Sequence, residues 1–410
     1  MPSSNASFLR VTGAVLTVSA IGLALACGGG SSKPPQTIVP SGQNVAQLSV
    51  NSGVTGTYAN GVFTTVTVCV PGSSTCQTIN NILVDTGSIG LRLLDAASGG
   101  PFNLSLPQAN NSSNAPYAEC TRFLDGSYLW GSVRTADIKI SGETASSVPV
   151  DIFGDSAFPT VPSTCSQGGN NANNLNTFGA NGVLGVNVFV QDCGPFCVSG
   201  MTIPTGLYYS CPTSGCVPAF IPLAQQVSTP VAFFSTDNNG VIVELPSVSS
   251  SGQVSTTGSL VFGIGTQSNN ALGSATVIPL DGAGHFTTSF KGANYSQSFV
   301  DTGSNGYFFL DSTTTGIPVC SDAKSFYCPS STQNLSATNM STVASGSTSV
   351  NFSVANADNL FNSSNFVFNN LAGPNPNSFD WGLPFYYGRN VFEVLENATV
   401  SGHTGPFVAY

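Results

Sequence analysis

Ile82-Leu83-Val84-Asp85-Thr86-Gly87-Ser88-Ile89-Gly90-Leu91 is an apolar run that delivers an aspartate into a glycine-containing turn and then turns apolar again. The same design returns at Phe299-Val300-Asp301-Thr302-Gly303-Ser304, followed by the apolar stretch Tyr307–Leu310. A single Asp-Thr-Gly in a chain rich in Ser, Thr and Gly reads as an ordinary turn. Two copies with matching flanks, a lobe-length apart, form a specific pair. One half-site per lobe brings Asp85 and Asp301 face to face. Two carboxyl groups a few ångströms apart do not both ionise comfortably, so they share a proton over a wide pH range. Such a pair can activate water with one member and protonate a carbonyl oxygen with the other.

The rest of the chain fits an all-β fold. Short β-branched or aromatic runs, such as Gly61–Val70, Tyr128–Ile140, Val231–Phe234, Val241–Leu245 and Ser259–Ile264, alternate with Gly, Asn, Ser and Pro. No long apolar pattern of helical period appears, so only short helices are expected, near Leu91–Ala97 and Ile221–Val227. The polar stretches Ser166–Asn176 and Ser330–Ser349 read as surface loops. A length of 410 residues suits two lobes. We expect an N-terminal β lobe over 46–228 and a C-terminal β lobe over 229–410. Each half has an apolar-Gly element well after its aspartate: Val183-Leu184-Gly185 in the first and Trp381-Gly382 in the second.

Composition narrows the function classes. Only 7% of residues are charged, the net charge is -10 and the isoelectric point is about 4.3. An acidic surface with few bases argues against nucleic acid and against electrostatic docking to anionic lipid. His285 and His403 are the only histidines. That leaves too few for a histidine metal centre, and a Ser-His-Asp triad would need one of them. His285 lies in Asp281-Gly-Ala-Gly-His285, a turn context with a surface role. The carboxylate mechanism needs no metal and no cofactor.

Eleven cysteines are present, and ten remain once Cys27 is set aside, an even number suited to disulfides. Local pairs are expected for Cys69 with Cys76, Cys211 with Cys216 and Cys320 with Cys328. A four-thiolate zinc site from Cys193, Cys197, Cys211 and Cys216 is the weaker alternative, because the spacings are poor and the compartment is wrong. Arg10 precedes a mostly apolar stretch, Val11–Ala26, that ends Ala24-Leu25-Ala26-Cys27 before a Gly/Ser/Pro run. This resembles a bacterial lipoprotein signal. The resemblance implies a signal peptide over 1–26, lipidation of Cys27 and a tether over 27–45, with simple periplasmic or secreted export as the alternative.

The ordered motifs resemble the pepsin-like, two-lobed aspartic proteases. They are Leu83–Ser88, the hairpin Thr121–Trp130, Val183-Leu184-Gly185, Gly258–Gly263, Phe299–Ser304, and Trp381-Gly382 with Phe385 and Val391-Phe392-Glu393. The chain is also similar to a group of exported bacterial proteins catalogued by a domain of unknown function. The first resemblance implies a hydrolase with Asp85 and Asp301 as the catalytic dyad. Thr86 and Thr302 would bond across the lobe interface. Gly87 and Gly303 would let backbone approach the carboxylates, while Ser88 and Ser304 would bond their outer oxygens. The Asp125-Gly126 turn would close a flap over substrate, with Phe123 where the family has tyrosine and Tyr128 on the other arm. Arg92, on a strand or helix start, is expected to face solvent. The implied partner is an extended polypeptide substrate, or a surface protein ligand should the module bind without cleaving.

Overall fold

In the computed structural model the chain is described over residues 36–410, apart from Met201 and Thr205. The fold is all-β, as the strand-length apolar runs require. One sixteen-stranded sheet and one seven-stranded sheet carry nearly all of it, giving a two-lobed architecture. Among the described residues, no helix is long and apolar enough to cross a membrane. The signal peptide and Cys27 lie outside the described residues.

The larger sheet joins the two halves of the sequence. Val45–Asn51, whose inward residues Leu48 and Val50 are buried, pairs antiparallel with Thr256–Phe262. From there the sheet runs on through the neighbouring strands Gly240–Leu245 and Arg389–Val394 to Phe407–Ala409. The segment expected as a tether is bound to this sheet from Gln36 onward. Gln36 Nε2 donates to the carbonyls of Leu245 and Arg389 at 2.9 and 2.6 Å, and Val39 N donates to Glu244 at 2.7 Å.

Each Asp-Thr-Gly-Ser loop is framed by the same arrangement. Cys76–Asp85 enters the first loop and Ile89–Leu94 leaves it, with Gly182–Val186 inserted between them, parallel to the first and antiparallel to the second. In the second half Ala293–Val300 and Tyr307–Leu310 flank Asn375–Trp381 in the same senses. The expected apolar-Gly elements are these inserted strands. Glycine is required there: a methyl at Gly185 would lie 2.6 Å from the amide of Ile89, inside contact distance of backbone.

Several local expectations are corrected. Leu91–Ala97 is mostly strand, since Leu91, Leu93 and Leu94 are all buried between neighbours, with a single 3-10 turn at Ala96–Ser98. Ile221–Val227 holds only the 3-10 turn Leu223–Gln225. Pro230 opens a 3-10 turn over Pro230–Phe233, where its fixed ring suits a first turn better than a strand. Ser330–Ser349 contains Gln333–Met340, which forms an antiparallel ribbon with Ser347–Val354.

Candidate functional site

Asp85 ends the strand Cys76–Asp85 and Asp301 directly follows the strand Ala293–Val300, and the following residues hold the two loops back to back. Thr86 N donates to Thr302 Oγ1 and Thr302 N donates to Thr86 Oγ1, each at 3.0 Å. Thr302 Oγ1 also donates to the Val84 carbonyl at 2.8 Å. Within each loop the glycine amide binds its own aspartate: Gly87 N to Asp85 Oδ1 at 2.8 Å and Gly303 N to Asp301 Oδ1 at 2.7 Å. The serines take the outer oxygens, Ser88 Oγ to Asp85 Oδ2 at 2.5 Å and Ser304 Oγ to Asp301 Oδ2 at 2.9 Å.

The glycines also face the opposite carboxyl. A methyl at Gly87 would meet Asp301 Cγ at 2.6 Å, and one at Gly303 would meet Asp85 Oδ1 at 2.5 Å and Asp301 Oδ1 at 3.0 Å. The inner oxygens therefore flank one small space. The carboxyl groups of Asp85 and Asp301 face each other across the two glycines, and both residues are buried. Burial first, and then the facing carboxyl of Asp85, raise Asp301 well above the ordinary carboxylate range.

This brings together all eight residues of the repeated tetrapeptide. Residues 40–410 match the family model for a protein of unknown function (DUF3443). The chain belongs to that family. No curated protein matches it.

Behind the loops, the DUF3443 chain carries a polar column that its sequence does not announce. The Thr86 Oγ1 contacts Tyr386 OH at 2.8 Å, and Tyr386 OH donates to Glu393 Oε1 at 2.9 Å. Burial pushes Glu393 up to about 8, against the hydrogen bonds from Tyr386 and Thr86. Asp380, on the inserted strand, is bonded to Ser304 at 2.6 Å. Trp381 beside it is packing: its indole N–H donates to Thr288 Oγ1 at 3.1 Å within an aromatic cluster of Tyr307, Phe352, Phe379 and Phe385.

A cavity of about 300 Å³ opens beside the first loop, lined from one half by Gly87, Ser88 and Ile89 and from the other by His285, Phe299 and Ser378. Its outer wall is the hairpin expected as a flap, built from the strands Tyr117–Arg122 and Ser127–Ile140. The turn between them is closed by Asp125, whose Oδ1 accepts from Ser127 N at 2.8 Å, and by Gly126 at a φ of 83°. Thr121, Arg122 and Leu124 line the cavity. Phe123 and Tyr128 do not; Phe123 packs with Tyr58, Phe63 and Leu83, and Tyr128 with Cys120, Trp130 and Tyr209. His285, expected at the surface, is partly buried on the cavity wall, where burial lowers its pKa against the pull of Asp281.

Arg92 is also corrected. It faces neither solvent nor Asp85, but is buried and paired with Glu119 and, at 3.3 Å, with Asp192. Its Nη1 donates to the Ile89 carbonyl at 2.7 Å, which ties this ion pair to the end of the first loop. Burial opposes the guanidinium charge, and Glu119 and Asp192 restore it.

Five disulfides join the ten cysteines of the described residues: Cys69–Cys76, Cys120–Cys165, Cys193–Cys197, Cys211–Cys216 and Cys320–Cys328. The three expected local pairs are present. The zinc alternative is ruled out, because its four cysteines are oxidised and offer no thiolate. This disulfide content suits an extracellular or periplasmic setting.

Proposed function

We propose that this protein is a pepsin-like aspartic endopeptidase that hydrolyses peptide bonds with water activated by Asp85 and Asp301. The observation that carries this reading is the reciprocal bonding of Thr86 and Thr302, which sets two Asp-Thr-Gly loops against each other with their carboxyl groups facing across the two glycines. The ionised member of the pair takes a proton from water as its oxygen attacks the carbonyl carbon. The protonated member gives its hydrogen to the carbonyl oxygen. Collapse of the tetrahedral diol breaks the C–N bond; the amine nitrogen leaves with a proton from one member of the pair, and a diol hydroxyl gives its proton to the other, restoring the singly protonated pair. No covalent link to the protein forms. The substrate is an extended polypeptide laid in the cavity beneath Arg122 and Leu124. The protein would work outside the cytoplasm, held to a membrane by lipid on Cys27.

The test is cleavage of a diverse peptide library by oxidised, folded protein from acidic to neutral pH. Wild type should cut, and Asp85→Asn and Asp301→Asn should each lose at least about a hundredfold in rate, the scale of acid–base catalysis. Absence of cleavage by wild type at every pH would replace this reading with a surface binding module that grips a protein ligand through the same cleft. The full burial of both aspartates is the feature that favours that second reading.

A further inference from the structure

In the second half a third carboxyl group stands where the first half has an aliphatic side chain. Leu83, two residues before Asp85, is in parallel register with Val183. Phe299, two residues before Asp301, is in parallel register with Asp380. Asp380 is buried, and its Oδ2 lies 2.6 Å from Ser304 Oγ. The same hydroxyl lies 2.9 Å from Asp301 Oδ2. Asp380 Oδ1 has no hydrogen-bond partner among the described residues.

A hydroxyl carries one hydrogen and cannot donate to two carboxylates at once. Two contacts of hydrogen-bond length therefore require a second hydrogen, on Asp380 or on Asp301. Asp301 accepts on both oxygens, from Gly303 N on Oδ1 and from Ser304 on Oδ2, and any proton it shares with Asp85 lies on the inner side, away from Ser304. Among the described residues Asp380 has Ser304 as its one hydrogen-bond partner, and the titratable groups that act on it are carboxyls, Asp85 and Asp301, with no cation. An ionised carboxylate buried on those terms is costly. The hydrogen belongs on Asp380.

We propose that Asp380 is a positioning residue, a neutral carboxylic acid at neutral pH that donates its proton to Ser304 Oγ and thereby fixes the Ser304 hydroxyl onto Asp301. Burial raises its titration well above the ordinary carboxylate range, and the Asp85 charge adds to this while Ser304 opposes it. The relay exists on one side only, so the two aspartates are inequivalent before any substrate binds. Its effect on cleavage rests on the proposed protease reading; its protonation does not.

The experiment separates these. Infrared difference spectra of the folded protein at neutral pH, wild type against Asp380→Asn, should show loss of one protonated-carboxyl C=O band. The band should shift in Ser304→Ala, which removes the acceptor. Identical carboxylic-acid absorption in wild type and Asp380→Asn would overturn the proposal, whether or not the protein cleaves peptides. Should Asp380→Asn not fold, Asp380→Val serves for the same spectra, since the first half already accommodates valine at this position. In a cleaving protein, the isosteric Asp380→Asn should stay within about threefold of wild type in kcat, with an unchanged pH profile. Asp380→Val should lose about tenfold in kcat with KM unchanged. Equal losses in both variants would overturn the positioning role.

Discussion

One atom, Thr302 Oγ1, accepts the Thr86 amide from the first loop and donates to the Val84 carbonyl in the strand that leads into it. Both partners are buried, so removing the hydroxyl strands a donor and an acceptor together. Thr302→Val should cost roughly 2–4 kcal/mol by the penalty for such orphaned groups, read as a lower midpoint in urea. Thr302→Ser keeps the oxygen and should stay close to wild type. Equal stability of the two variants would mean that the join is made by packing. Residues of this kind were legible in the sequence because the loop chemistry is contiguous: aspartate, hydroxyl, glycine and serine follow one another in both copies. Arg92 was not legible, since its burial is made tolerable by Glu119 and Asp192, neither of them a neighbour in sequence. Asp380 was hidden for a related reason: only the register with Phe299 shows that it stands behind Ser304.

At the scale of elements, the inserted strand is the unit that repeats. Its glycine yields to the crowded loop, and its apolar members fill the space behind an aspartate. That pattern was readable from the apolar-Gly signature, whereas the ribbon of Gln333–Met340 and Ser347–Val354 was not. Most of its side chains are wholly or partly solvated, so the alternation that marks a half-buried strand is weak there. The flap was legible as a hairpin from Asp125-Gly126, but which residues face the cavity was set by tertiary packing of Phe123 and Tyr128. The Cys120–Cys165 bond pins one flap arm to the helical turn Ser163–Ser166 across a sequence separation of 45 residues. Replacing both cysteines by alanine should cost about 2–4 kcal/mol, the range for a loop of this size. Thermal unfolding of the double variant measures it. A midpoint equal to that of wild type would show that the arm is held by Trp130 and Tyr209 alone.

At the scale of the whole molecule, buried carboxyls govern how stability should depend on pH. Burial, as the largest cause, raises Asp301 and Asp380 well above the carboxylate range, and takes Glu393 from 4.5 to about 8. Between its unfolded and folded pKa values such a group binds more proton in the native state than in the unfolded one. Its contribution is thus fully present below the unfolded pKa, and is lost as pH rises through the folded one. His285, lowered by burial, works in the opposite sense but is a single group. Thermal unfolding should therefore give a higher Tm near pH 5 than near pH 8, by this linkage; the reverse order would mean that these carboxyls are ionised in the fold. The scarcity of charge in the composition was visible from the start, but not that so much of it is buried beside the cleft. The stitching of Gln36 to Leu245 and Arg389 has a consequence for range. Cys27 and Gln36 are nine residues apart in sequence, a leash of about 30 Å at full stretch. Under the proposed lipidation of Cys27, the protein would patrol a thin layer of space along the bilayer. It would meet only those chains that come down to that height.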